Sequence, residues 1–114
     1  MNQKELLDKL TDKNSLNEVQ EYIKNVFEIR GFNDQSIQNA MLLLTEEVGE
    51  LAKAIRKTET DIATDINRSH NYETVESELA DVFIVLVGIC NSLNIDIFQA
   101  VKDKEIKNIE RNWR

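Results

Sequence analysis

Two short groups of carboxylates stand out: Glu46, Glu47 and Glu50 within "LLLTEEVGELAKAIRK" (residues 42–57), and Glu78 with Asp81 within "ESELADVF". Each group contains an i, i+3 pair, a spacing that puts two side chains on one side of a helix. Carboxylates among apolar neighbours repel one another and lose hydration, so they need a cation or hydrogen bonds to compensate them. Two helices that each offer such a pair can converge on a divalent ion, and an all-oxygen set suits a hard cation such as Mg²⁺ or Mn²⁺. The single histidine, His70, lies in a polar segment between the groups. The Glu-x-x-His pairs of a bundle di-iron site are therefore missing.

The opposite charge gathers near the C-terminus, where Lys104, Lys107, Asn108 and Arg111 follow i, i+3, i+4, i+7 spacing. On a helix they occupy one arc of about 100°. Such a face is commonly only a solvated surface. Beside a metal site it suits phosphate oxygens, since one arginine can bind two of them at once. Acidic metal ligands with basic phosphate contacts describe a polyphosphate site. No Gly-rich phosphate loop accompanies them, which excludes a P-loop nucleotidase.

The elements that must position these residues read as helices throughout. There is no proline, there are only three glycines, and apolar residues recur every three or four positions. An all-α, four-helix-bundle-like fold follows. After a loosely amphipathic lead-in, Ser15 and Glu18 form a capping box for a first helix with the stripe Leu16, Val19, Ile23, Val26 and Phe27, ending at Gly31. Asn33 or Asp34 can cap a second helix, with the stripe Ile37, Ala40, Met41, Leu44, Val48, Leu51 and Ile55. The polar stretch "KTETDIATDINRSHN" reads as one long loop. Asn71 can then cap a third helix to about Leu93, apolar nearly all round from Val82 to Cys90, with Gly88 permitting close approach. Asn94 can cap a fourth helix to the C-terminus, carrying Ile97, Phe98, Val101, Ile109 and Trp113.

With 114 residues, 41% hydrophobic and 31% charged, the chain fits a single domain spanning residues 1–114. A formal charge of −7 argues against binding nucleic-acid polymers or anionic membranes through a broad basic surface. The N-terminus lacks the apolar core of a signal peptide, and the run Val82 to Cys90 is too short for a bilayer, so a cytoplasmic protein is expected. The lone Cys90, in "VFIVLVGIC", is expected to be an inert core thiol.

With these residues in place, the sequence resembles the MazG-like nucleotide pyrophosphohydrolases of the all-α NTP pyrophosphatase superfamily. The resemblance covers roughly residues 15 to 113 and rests on Glu46-Glu47-x-x-Glu50, a gap of 27 residues, Glu78-x-x-Asp81, and the closing "KDKEIKNIERNW". It implies Mg²⁺ ligation by Glu47, Glu50, Glu78 and Asp81, with Mn²⁺ able to substitute. Glu46 would be a secondary ligand or a group that orients water, and Lys104, Lys107, Asn108 and Arg111 would contact phosphate; a carboxylate not fully committed to metal can take the water's proton, and Glu46 is the catalytic candidate for that. The implied reaction is hydrolysis of a nucleoside triphosphate, deoxy or non-standard ones included, to monophosphate and pyrophosphate. Family members are typically homodimers or homotetramers, so homo-oligomerisation is implied as well. Two alternatives stay open: phosphoribosyl-ATP pyrophosphohydrolase, which shares the acidic pattern, and a non-catalytic helical interaction protein.

Overall fold

The computed structural model describes residues 1–63 and 74–113. Five helices and no strands are present among them: α1 (Gln3–Lys9), α2 (Leu16–Arg30), α3 (Ile37–Glu59), α4 (Val75–Ser92) and α5 (Ile97–Ile109). The lead-in thus forms a short helix of its own, started by the Asn2 side chain, which accepts from the Glu5 N–H. The chain divides into two units, Met1–Gln35 with Val87–Arg114, and Ser36–Leu86.

Helix starts are written locally. Ser15 accepts from the Glu18 N–H while the Glu18 carboxylate accepts from the Ser15 N–H at 2.8 Å, the expected capping box. Gly31 ends α2 in the left-handed region at φ 75°, where a side chain would be strained. Elsewhere the caps differ from expectation. Ser36, rather than Asn33 or Asp34, accepts from the Asn39 N–H and starts α3. Thr74 Oγ1 accepts from the Ser77 N–H at the start of α4, and Asn71 lies outside the described residues. Asn94 does not cap α5 but turns the chain at φ 56°, and Asp96 supplies the cap by accepting from the Gln99 N–H. Asn and Asp both suit caps and left-handed turns, so composition alone does not separate the two uses.

In the first unit α2 packs against α1 and α5. Ile23 and Val26 are buried, and Leu16, Val19 and Phe27 half-buried, so the expected stripe is the core face. Gln20, on the same stripe, is buried too. Gly88 of α4 faces Phe27: a Cβ built there would overlap the ring at Cε2. On α5, Ile97 is buried while Phe98, Val101 and Ile109 are exposed, as is Trp113 beyond the helix end. That helix ends at Ile109 rather than at the C-terminus.

The second unit corrects the stripe expected on α3. Met41 and Val48 are 48% exposed and Ile55 39%, while Ala54 is buried at 2%. Ile37, Ala40, Leu44 and Leu51 of that stripe are covered, and Glu47 and Ala54 join them in place of Met41, Val48 and Ile55. Hydrophobicity alone centred the face about 50° too far round, because it gave a glutamate no share in a covered surface.

The Gly88 contact makes a stability prediction. Gly88→Ala forces the Phe27 ring to move and is expected to cost about 1–3 kcal/mol, as overpacking does. Urea unfolding of Gly88→Ala in the wild-type and Phe27→Leu backgrounds checks this, with a smaller cost expected where the ring has been removed.

Candidate functional site

Both acidic groups belong to the second unit, on the middle of α3 and the first turns of α4. On α3 adjacent residues lie about 100° apart, so Glu46 and Glu47 cannot share a direction. Glu47 falls on the covered face and is half-buried, whereas Glu46 and Glu50 are exposed. Glu50 has Lys53 beside it on the next turn, with 3.7 Å between Nζ and Oε1. On α4 Glu78 is only 5% exposed and Asp81 is half-buried.

One carboxylate oxygen each from Glu47, Glu78 and Asp81 can be chosen so that all lie within 4.8 Å of one another. Of the expected ligands, three are therefore brought together, and Glu50 stands outside the cluster on the exposed side of the same helix. The Glu47 carboxyl is pushed above its ordinary 4.5, first by burial and then by Asp81, Glu50 and Glu46. A raised carboxyl pKa means that the folded environment disfavours the charged form. Three convergent carboxylate oxygens, with no sulfur or nitrogen among them, fit a hard divalent cation.

The candidate phosphate contacts lie on α5 and just past it, in the first unit. Lys104, Lys107 and Arg111 are exposed. The Arg111 guanidinium lies 5.7 Å from the centroid of the Trp113 ring, and Trp113 Nε1 donates to the Asn108 carbonyl at 2.8 Å. That fold-back gives Arg111 an apolar surface to rest on. Asn108 is half-buried: its Nδ2 donates to Glu105 Oε2 at 3.3 Å, and its shielded Oδ1 has no hydrogen-bond partner. An anion approaching Asn108 would have to win the amide from Glu105.

Gln20 escaped the reading of the sequence. Its Nε2 donates to Asn91 Oδ1 at 3.0 Å and to the Ile95 carbonyl at 2.7 Å, and its Oε1 accepts from the Ile97 N–H at 3.0 Å. The available signal was its place: four residues after Leu16 and three before Ile23, it is a polar residue at a core position. Cys90 is half-buried, and burial pushes its thiol up, away from reactivity. Among the described residues no single helix is long and apolar enough to cross a membrane.

The family model of the MazG nucleotide pyrophosphohydrolase domain matches residues 35–113, a span that holds both acidic groups and all four candidate phosphate contacts. The chain belongs to that family. A MazG domain accounts for the helical architecture, and a solved structure agrees with it: the "putative pyrophosphatase YPJD from Bacillus subtilis" superposes with a TM-score of 0.75 at 24% identity. The match covers 90% of this chain and 100% of that one, and at such identity the likeness is one of fold. No curated protein matched.

If the acidic cluster of this MazG domain holds a cation, Glu47→Gln should raise the metal-free melting temperature at pH 7 while shrinking the upshift produced by millimolar Mg²⁺ or Mn²⁺. The sign follows from the raised folded pKa: the penalty for ionised Glu47 is full above that pKa and gone below the ordinary 4.5. The metal-free advantage of the variant should therefore fade as the pH is lowered towards 4.5, which thermal melts followed by circular dichroism would record.

Proposed function

We propose that the protein hydrolyses a nucleoside triphosphate, with deoxy and non-standard nucleotides as the candidate substrates, to the monophosphate and pyrophosphate, using Mg²⁺ or in its place Mn²⁺. The observation that carries this proposal is the convergence of Glu47, Glu78 and Asp81 on one point, in a chain whose family is that of nucleotide pyrophosphohydrolases.

Glu47, Glu78 and Asp81 would hold the cation, with Glu50 completing the set from the exposed side once its side chain leaves Lys53. A divalent ion there supplies charge compensation for the polyphosphate and acidifies bound water. Lys104, Lys107 and Arg111, with Asn108 if its amide leaves Glu105, bind the phosphate oxygens and orient the chain for in-line displacement. Water attacks the α-phosphorus, the bond from that phosphorus to the α–β bridging oxygen breaks, and pyrophosphate leaves with the bond's electrons. The attacking water loses a proton in the same step. Glu46, exposed and next to the ligand Glu47, is the proposed acceptor of that proton.

A homodimer or homotetramer is part of the proposal. Met41, Val48 and Ile55 repeat every seventh residue on the exposed side of α3. A row of that kind is a suitable interface for a second copy of the chain. Val48→Asp is expected to shift the protein towards monomer, as read by light scattering after size-exclusion chromatography.

The activity is tested by screening nucleoside triphosphates, with phosphoribosyl-ATP included, for pyrophosphate release in the presence of Mg²⁺. Asp81→Asn and Glu47→Gln should each lower turnover by about a hundredfold or more, a loss of roughly 3 kcal/mol of transition-state stabilisation, with the helical circular dichroism signal retained. Full activity in both variants would remove the acidic cluster from the mechanism.

A further inference from the structure

Helix α5 presents one face made wholly of exposed residues: Phe98, Val101, Lys102, Glu105, Ile106 and Ile109. At about 100° per residue they fall within an arc of roughly 140°. Ile97 and Asn108, the covered residues of this helix, lie about 100° round from the centre of that arc, so the packing of α5 on α2 leaves the face open. Ile109 alone is 81% exposed. A scattered hydrophobic residue on a surface needs no explanation, but a row of them on one helix marks a surface that something covers.

The order of the residues identifies the cover. Phe98, Lys102, Glu105 and Ile109 follow one another at steps of four, three and four, the spacing of a two-stranded coiled-coil seam, with Val101 and Ile106 on its two flanks. The seam is apolar at both ends and carries one base and one acid in the middle. Two copies of α5 laid antiparallel therefore bring Phe98 of each beside Ile109 of the other, and Lys102 of each beside Glu105 of the other. Laid parallel, they would set lysine against lysine and glutamate against glutamate, so the charges select the antiparallel register. A two-fold contact demands this self-complementarity, residue i meeting j and j meeting i, whereas a foreign partner imposes no symmetry on the seam. Lys102 takes part in no ion pair among the described residues, and Glu105 meets only Asn108, through Oε2 at 3.3 Å.

We propose that this face of α5 is a self-association surface on which a second copy of the chain pairs its own α5, antiparallel, through two Lys102–Glu105 contacts between two Phe98–Ile109 layers. It adds to the proposed homo-oligomer a contact distinct from the row on α3, and it does not depend on the chemistry of the acidic cluster. Lys104 and Lys107 lie about 130° and 170° round α5 from the centre of the face, so the pairing leaves them uncovered. One 13-residue helix covers less than the roughly 800 Å² per partner of a standard interface, so the contact should come apart on dilution.

The test follows weight-average mass by sedimentation equilibrium over a dilution series, with circular dichroism to confirm that the helices are kept. It compares the wild type, Lys102→Glu, Glu105→Lys, the double variant, and an equimolar mixture of the two single variants. Lys102→Glu makes the middle of the seam wholly acidic and Glu105→Lys makes it wholly basic, so each should need at least about tenfold more protein to reach the wild-type mass. The double variant restores one base and one acid and should return to within about threefold of the wild type. In the mixture the acidic seam of one chain matches the basic seam of the other, so the mass should rise well above that of either component at the same total concentration. Single variants that associate like the wild type, or a mixture no heavier than its components, would overturn the proposal. Loss of mass in Val48→Asp with none in Lys102→Glu would remove the α5 contact and leave the α3 row standing. A wild type that is monomeric throughout would overturn this contact and the homo-oligomer together.

Discussion

Like-charge repulsion at a half-covered place is the constraint around which the second unit is organised. Glu47 is half-buried on the covered face of α3, which it shares with Ala40, Leu44, Leu51 and Ala54. Glu78 is buried on α4, and Asp81 is one helical turn further along on the same side. The helices thus hold three acids close together, and Glu47 bears the consequence as a raised pKa. A divalent cation at that point would offset the mutual repulsion of the three acids.

The first unit solves a different problem with a neutral group. A terminal turn and a helix start bring backbone N–H and C=O groups into a covered region, and Gln20 provides both a donor and an acceptor from one side chain. Aspartate or glutamate at that position could accept but not donate, and lysine could donate but not accept. An amide serves both needs without burying a charge.

Much of this was legible in the sequence, for physical reasons. The all-helical class followed from periodicity and the absence of proline, the Ser15–Glu18 box from its spacing, and the tight approach at Gly88 from a lone glycine in an apolar run. The pairing of the acidic groups could be anticipated because i, i+3 spacing has one meaning on a helix. The rotation of α3 could not, since exposure of Met41, Val48 and Ile55 depends on what covers the helix, and periodicity places a stripe without saying which edge of it is covered. Cap positions shifted by two or three residues because Asn, Asp, Ser and Thr compete for the same task. His70 falls outside the described residues, so the expectation attached to it has no structural counterpart.

The contact between Phe27 and Gly88 carries an evolutionary consequence. The ring fills space that a β-carbon at position 88 would need, so the two positions share a single volume and cannot drift independently. Across relatives, a larger residue at the position matching 88 should accompany a smaller one at the position matching 27. In distant members whose acidic motifs align ambiguously, this reciprocal pair supplies a second landmark, one that records how α2 meets α4 rather than what the site does.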